Sequence, residues 1–379
     1  MVVMSPFLSE KDYEIKFLAR NEGAYRGLSS LFPGITLKTL FITTKIANEK
    51  KFFLGGIRVA TNKRRYYGGT TITHAAKTLH EELKKMGYST THKTCQNILN
   101  LCTDFRLLFK LSKEYKIHSY SYPMLWFSDK DHLKFKCYFI DKLLFEDGDY
   151  FYAILKMHSE KGIEKLDDEY TGRSNYYGKV LHEIVLDLLE KKINSHFSHE
   201  VKFFLKTKIR DIKKQLDKIE RNCINNKRAV PRRMELEYTV RRDWLYELGL
   251  LSNIKGEIKL STEGEKLFKN IENEVFDTNF FTKKSLSVLN KVYNFTDRRS
   301  ADKTKLFEMY YDRLTKMKGN ILETLVLINS IIFLELPNFY GDRDSLLSQL
   351  LELSKSAKIS LVVENGYRTR DYYVKRRMT

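Results

Sequence analysis

The sequence predicts a mainly α-helical fold with small β-hairpins, arranged as helix-then-hairpin units joined by long helices. Three observations predict it. Pro is scarce, with five in 379 residues, so long helices are not interrupted and Pro-rich linkers are disfavoured. Apolar residues recur at helical spacing through most of the chain. Short strand-like runs with turn residues between them follow several of those helices. Hydrophobic residues make up 42% of the chain, enough for a sizeable core.

Residues 1–59 form a weakly patterned lead-in. The stretch KKFFLGGIRVATNKRRYYGGTT, residues 50 to 71, has two Gly pairs around a basic cluster and reads as a hairpin or an exposed loop. In TITHAAKTLHEELKKMGYS, Ile72, Ala75, Ala76, Leu79, Leu83 and Met86 share one helical face, and Gly87 suits the stop. Thr90 or Thr91 can cap a second helix that buries Cys95, Ile98, Leu99, Cys102 and Phe105. The short turn between the two is that of a helix-turn-helix. A β-hairpin is expected after it, in KIHSYSYPMLWFSDKDHLKFKCYFID (residues 116 to 141), which closes a first unit at residues 60–160.

Residues 161–226 are expected to be a helical connector. Its second half carries a stripe of Phe203, Phe204, Ile209, Ile212, Leu216 and Ile219 and suits a strut or half of a coiled coil. EDGD, within residues 146 to 149, reads as a turn. A central unit, residues 227–300, follows. It has a helix with Leu236, Val240, Trp244, Leu245 and Leu248 at core spacing, a stop at Gly249, and strands LLSNIK and EIKL. Thr262 with Glu265 makes a capping box for the next helix. Residues 270 to 320 read as mostly helical, and Ile321 to Pro337 as a buried helix or strand. The last unit, residues 301–379, ends in a helix and a hairpin turned at Asn365-Gly366.

Net charge is +19, from 67 Lys and Arg against 48 Asp and Glu. Such an excess points to a polyanionic partner, nucleic acid first. Three basic clusters are candidate contacts. Lys63, Arg64 and Arg65 lie among Tyr66, Tyr67 and glycines that let backbone approach a phosphate. Lys227, Arg228, Arg232, Arg233, Arg241 and Arg242 run into the central helix beside Trp244. Arg368, Arg370, Lys375, Arg376 and Arg377 alternate with Tyr367, Tyr372 and Tyr373 in the last hairpin. Arg and Lys neutralise phosphates, and Tyr hydroxyls bond phosphate oxygens or stack. Each cluster also has a plain reading as a solvated, charged surface.

Trp244-Leu245, followed by Leu248-Gly249-Leu250-Leu251, resembles the end of a winged-helix recognition region. Leu260-Ser261-Thr262-Glu263-Gly264 resembles the strand-to-helix corner after a wing. LLELSKSAKISLVV resembles the final helix and first wing strand of such domains. The chain is thus similar to the winged-helix superfamily, which implies tandem winged helices. In such a module a helix enters the major groove and a basic hairpin reaches the backbone. Arrays of this kind occur in regulators, restriction enzymes and other bacterial defence proteins. The expectation is a non-catalytic protein that binds double-stranded DNA as a subunit of a defence or restriction-type assembly.

No cofactor and no metal site are expected. The cysteines form no CxxC pair, and His92, Cys95 and Cys102 read as helix residues with buried thiols rather than ligands. GxSxG, HExxH and deaminase patterns are absent. Asp149 and Lys156 lack the intervening acid of a nuclease strand. Two alternatives stay open: an adaptor whose winged helices bind protein, and a divergent nuclease. No secretory signal is read at the N-terminus and no apolar run is long enough for a membrane span, so a cytoplasmic location is expected.

Overall fold

The computed structural model describes residues 34–59, 70–111, 113–159, 175–194, 199–224, 232–254, 257–272, 285–295, 303–318, 322–338, 341, 343–365 and 372–377. The chain is mainly helical with small antiparallel sheets, as expected. It divides into two compact units, a smaller one at residues 22–125 and a larger one containing residues 126–379.

Among the described residues the smaller unit starts with α1 (Leu37–Glu49), whose N-cap Thr36 accepts a hydrogen bond from Thr39 N. Next come the short strand β1 (Phe52–Phe53) and the pair β2 (Gly56–Val59) and β3 (Thr70–Thr73). Helices α2 (His74–Lys85) and α3 (His92–Asp104) follow, capped by Thr73 and Thr91. Strands β4 (Leu108–Leu111) and β5 (Glu114–Ile117) complete a sheet of order β1-β5-β4. Leu40, Leu79, Leu83, Ile98, Leu99 and Tyr115 are among its buried side chains. Two expectations change here. Residues 52–53, assigned to the lead-in, are a strand of this sheet. The hairpin expected at residues 116–141 lies earlier, at 108–117. Ser119–Trp126 is instead a 3-10 helix, and α4 (His132–Ser159) occupies the remainder. The aromatic–polar alternation there reflects a helix buried on several sides, not a strand.

Helix α4 is the axis of the larger unit. It is surrounded by α5 (Asn175–Ile193), α6 (His199–Ile224), α7 (Arg232–Glu247), α8 (Thr262–Glu272) and α9 (Ser285–Tyr293). EDGD is not a turn but a kink inside α4, where Asp147 leaves helical geometry at φ −139° and ψ 24°. Three aspartates of α4 are buried or nearly so, each held by cations from other helices. Asp147 takes a bidentate pair from Arg241 of α7, Nε at 2.6 Å and Nη2 at 3.0 Å. Asp149 accepts from Lys192 of α5 at 2.6 Å and Lys208 of α6 at 3.4 Å. Burial alone would raise its pKa, but the two ammonium groups hold it well below the usual carboxylate range. Asp141 accepts from Ser285 of α9 at 2.6 Å and from Arg343 at 2.7 Å.

Between α7 and α8 lie strands β6 (Leu251–Ile254) and β7 (Glu257–Leu260). The helix-hairpin-helix shape of this stretch matches the expectation. The cap of α8 differs: Ser261 Oγ, not Thr262, accepts from Gly264 N at 3.1 Å, and it donates to Gly249 O at 2.6 Å. Glycine is required at 264, because a Cβ there would sit 2.1 Å from the Leu250 carbonyl oxygen.

The final segment comprises α10 (Lys303–Lys318), β8 (Leu322–Glu323), α11 (Thr324–Glu335), α12 (Arg343–Lys355), β9 (Leu361–Asn365) and β10 (Tyr372–Arg376). Its sheet order is β8-β10-β9. With the β2–β3 pair of the smaller unit set aside, helix, strand, two helices and hairpin recur in the same order. The first strand again pairs with the last. Gly366 of the expected Asn365-Gly366 turn lies outside the described residues, and the strand register does not fit a two-residue turn there, since Asn365 pairs with Tyr372 and Glu364 with Tyr373. A two-residue turn there would pair Glu364 with Tyr367.

Every helix that leads directly into one of these three hairpins stops the same way. A left-handed residue follows it: Arg106 at φ 50°, Gly249 at φ 68° and Ala357 at φ 53°. The next amide then reaches back five residues, as in Leu107 N to Cys102 O, Leu250 N to Leu245 O and Lys358 N to Leu353 O. This is the Schellman arrangement. Only the Gly249 stop announces itself in the sequence, since Arg and Ala carry a steric cost in that conformation.

Three outcomes are expected. Ala357→Gly relieves the left-handed strain and raises stability by about 0.5–1 kcal/mol, measured by urea unfolding. Both tryptophans, Trp126 and Trp244, belong to the larger unit, so their emission follows it. Asp147→Ala leaves the Arg241 guanidinium buried and unpaired, at a cost of about 3–5 kcal/mol, and a double exchange to Asp147→Leu with Arg241→Met recovers most of it. His158 is 5% exposed, donates from Nδ1 to Ile258 O and accepts from the Tyr238 hydroxyl, so it is held neutral. Burial pushes its pKa down to about 4 from 6.5. A depressed folded-state pKa stabilises fully above the unfolded value. That stability, up to about 3 kcal/mol, is lost as pH falls from 6.5 towards 4. His158→Gln flattens the decline in unfolding midpoint between pH 7 and pH 5; an unchanged slope contradicts the assignment.

Candidate nucleic-acid interface

The basic clusters read from the sequence fare differently in the structure. Arg241 does not face a groove. It is 1% exposed, bound to Asp147 and to Glu237 O, with its guanidinium 4.2 Å from the Tyr150 ring centroid. The structure therefore removes it from the candidate contacts. Its place on α7 explains the correction. Met234, Glu237, Tyr238, Arg241, Leu245 and Leu248 share the buried stripe, and that spacing was legible beside the Trp244 register. Arg242 is half-buried and folds onto its neighbour Asp243, 2.6 Å away, near the Tyr238 ring. Arg232 and Arg233 start α7, but their side chains lie outside the described residues. So do Lys227 and Arg228.

In the last hairpin, Arg368 and Arg370 lie outside the described residues. The remaining cations are engaged by their own unit. Lys375 pairs with Glu364 across the hairpin at 2.6 Å. Arg376 grips both oxygens of Asp312 on α10, at 2.5 and 2.7 Å. That pair is exposed, so water screens it. Arg377 donates to Ser354 O at 2.8 Å. Residues 303–377 carry 13 Lys and Arg against 9 Asp and Glu, a net of +4.

The smaller unit carries a larger excess of positive charge. Residues 22–125 hold 17 Lys and Arg against 6 Asp and Glu, a net of +11 out of the chain's +19. Lys63, Arg64 and Arg65 belong to it, in residues 60–69 between β2 and β3. Those residues lie outside the described ones, but the strands on either side pair from Gly56↔Thr73 to Val59↔Thr70, so the cluster sits in the connection of a hairpin.

Helices α2 and α3 meet through their connection. The His80 and His92 ring centroids are 4.3 Å apart, and His80 Nδ1 lies 3.2 Å from Thr90 Oγ1. Burial, with His92 and Lys84 nearby, lowers the His80 pKa. Gln96 Oε1 accepts from Thr73 N and Thr73 Oγ1, tying α3 to the start of α2. Cys95, Ile98, Leu99 and Cys102 are buried on the inner face of α3, as expected. Its outer side presents Thr91, Lys93 and, half-exposed, His92 and Asn100. Asp104 is the sole acid within its bounds. Lys110 and Lys113 are exposed on the β4–β5 hairpin.

Sequence reasoning had passed over Lys93, Lys110 and Lys113. The signal was present in the spacing of Cys95, Ile98, Leu99 and Cys102, which fixes which face of α3 points outward, and in the alternation of LFKLSKEYKI. On α6, Lys206, Arg210, Lys214 and Lys218 recur every fourth residue and are exposed, a second basic row that the apolar-stripe reading overlooked.

Asp149, weighed above for a nuclease strand, is paired with Lys192 and Lys208, and its neighbour Asp147 with Arg241. Among the described residues, no three His, Cys, Asp or Glu side chains are placed to share a metal ion. Burial pushes the Cys102 and Cys137 thiols up, away from the reactive thiolate. No described helix is long and apolar enough to cross a membrane. No family model, curated protein or solved structure matches the chain.

Proposed function

We propose that this protein binds double-stranded DNA without catalysing a reaction, and that the smaller unit is the winged-helix domain that holds the duplex. The observation that carries the reading is the union of fold and charge in residues 37–117. Helix, strand, two helices and a hairpin, with the first strand pairing the last and the β2–β3 pair set between strand and helices, resemble the framework of a winged helix, and +11 of charge falls on that unit. In this reading α3 lies in the major groove with Lys93, His92 and Asn100 towards base edges and phosphates. The β4–β5 hairpin brings Lys110 and Lys113 to the backbone. The connection bearing Lys63, Arg64 and Arg65 supplies a further phosphate contact.

The final segment shares the connectivity but has another electrostatic character, and this favours a second role for it. Arg376 and Lys375 are paired with acids of their own unit, and α12 exposes Glu352 beside Lys355. Such a surface suits a protein partner better than a phosphate backbone. The chain then joins DNA to a larger assembly, with the smaller unit on DNA and the final one as adaptor.

The test is a titration of labelled duplex at several salt concentrations. Each lost phosphate contact lowers the slope of log K against log salt by about 0.9. Lys93→Ala with Lys113→Ala is therefore expected to reduce the slope by about 2 and to weaken binding at least ten-fold at low salt. Arg376→Ala leaves affinity and slope unchanged. Wild-type protein that retards no duplex at low salt sinks the DNA reading.

A further inference from the structure

The three-stranded sheet of the smaller unit has two faces of different character. Strand alternation places Phe52, Tyr115, Leu108 and Ile117 on one side, against the helices. It places Phe53, Glu114, Lys116, Phe109 and Leu111 on the other. That outer side is apolar in an unusual way for a basic unit. Phe53 is 49% exposed, Phe109 36% and Leu111 51%. The acid among them, Glu114, is neutralised by Lys116 beside it. The aromatic surface continues past β5. The edge of the Phe109 ring meets His118 at 6.0 Å, and His118 stacks on Tyr120 at 5.2 Å with the rings 8° from parallel. Exposed Lys51 and Lys113 border the sheet, while Lys110 lies on its other side, with Nζ 5.7 Å from the Tyr115 ring centroid.

A solvent-facing array of flat rings would be costly on a monomer unless something covers it. The occupant is narrowed by charge. This unit carries 17 basic side chains against 6 acidic ones, so the partner is an anion. It must also offer flat, apolar faces to Phe53 and Phe109. Unpaired nucleobases on a phosphate backbone satisfy both conditions, since aromatic side chains stack bases of any identity while lysines follow the phosphates. We infer that the outer face of β1-β5-β4 is a stacking platform for single-stranded nucleic acid. The protein then prefers a duplex that continues into an unpaired strand over a blunt one. This rests on the duplex-binding reading above and adds the form of DNA that the domain selects.

The experiment uses the full chain and three labelled DNAs: a blunt duplex, the same duplex with a thymidine extension, and the same with an abasic extension. The expected result is binding about ten-fold tighter with the thymidine extension than without it. The abasic extension gives little of that gain. Phe53→Ala with Phe109→Ala abolishes the gain and leaves blunt-duplex affinity unchanged. Both side chains lie on the exposed side of the sheet and outside the buried core, so the fold tolerates the exchange, and circular dichroism checks this. Equal binding to the blunt and thymidine-extended duplexes overturns the stacking platform alone. So does an equal gain from the abasic strand, which shows phosphate attraction without stacking. Concentration-dependent self-association in sedimentation, lost in the double variant, assigns the face to a second copy and overturns the proposal. Failure to bind any of the three DNAs overturns the duplex reading and this one with it.

Discussion

The larger unit is organised around carboxylates that point inward from a single helix. Asp141, Asp147 and Asp149 of α4 each bind cations from other elements, Arg343, Arg241, and Lys192 with Lys208. A buried ion pair of this kind adds little net stability over an apolar pair, but losing one partner is expensive. Its effect is therefore selective. Helices α5, α6, α7 and α12 have alternatives for packing apolar stripes, and few for meeting a buried carboxylate at hydrogen-bond distance. Arg241 gives the clearest case, since its bidentate pair falls at the kink of α4, where Asp147 has left helical geometry. Arg343 extends the scheme by also donating to Asn329 of α11 at 2.8 Å, which fastens the final segment's helices to α4.

The same scheme bears on function through charge. Acids and bases of the larger unit neutralise one another inside or along the hairpins, whereas the smaller unit has few acids to spend. Two segments of like connectivity thus carry unlike surfaces, +11 on residues 22–125 and +4 on residues 303–377. Net charge alone pointed to a polyanion, but gave no hint that the excess gathers on one unit. The proposed division of labour between DNA contact and protein contact rests on that distribution.

Local geometry repeats where a helix leads directly into a hairpin. In all three places a left-handed residue ends a helix and sends the chain straight into a hairpin. The conformation reverses the backbone without a long loop, so helix and hairpin stay in a fixed relation. At Gly249 this was readable from the residue type. At Arg106 and Ala357 it was not, because the tertiary structure holds ordinary residues in a conformation that their own sterics disfavour. The hairpin misplaced at residues 116–141 has the same root. Aromatic alternation in that stretch satisfied a strand pattern, while burial of Tyr138, Phe139 and Ile140 together made it a helix with no polar side.

By itself the sequence determined what depends on near neighbours. The helices of the helix-turn-helix followed from apolar spacing with Thr and Gly punctuation, and the inner face of α3 fell where Cys95, Ile98, Leu99 and Cys102 had placed it. The helix-hairpin-helix from Arg241 to Phe268 came from the same local signals. The tertiary structure alone decided which charges remain available. Arg241 looked like a surface cation because a residue type is read against an average environment. Its environment is set by Asp147, 94 residues away along the chain, and Coulomb attraction in a desolvated interior depends on separation in space rather than in sequence.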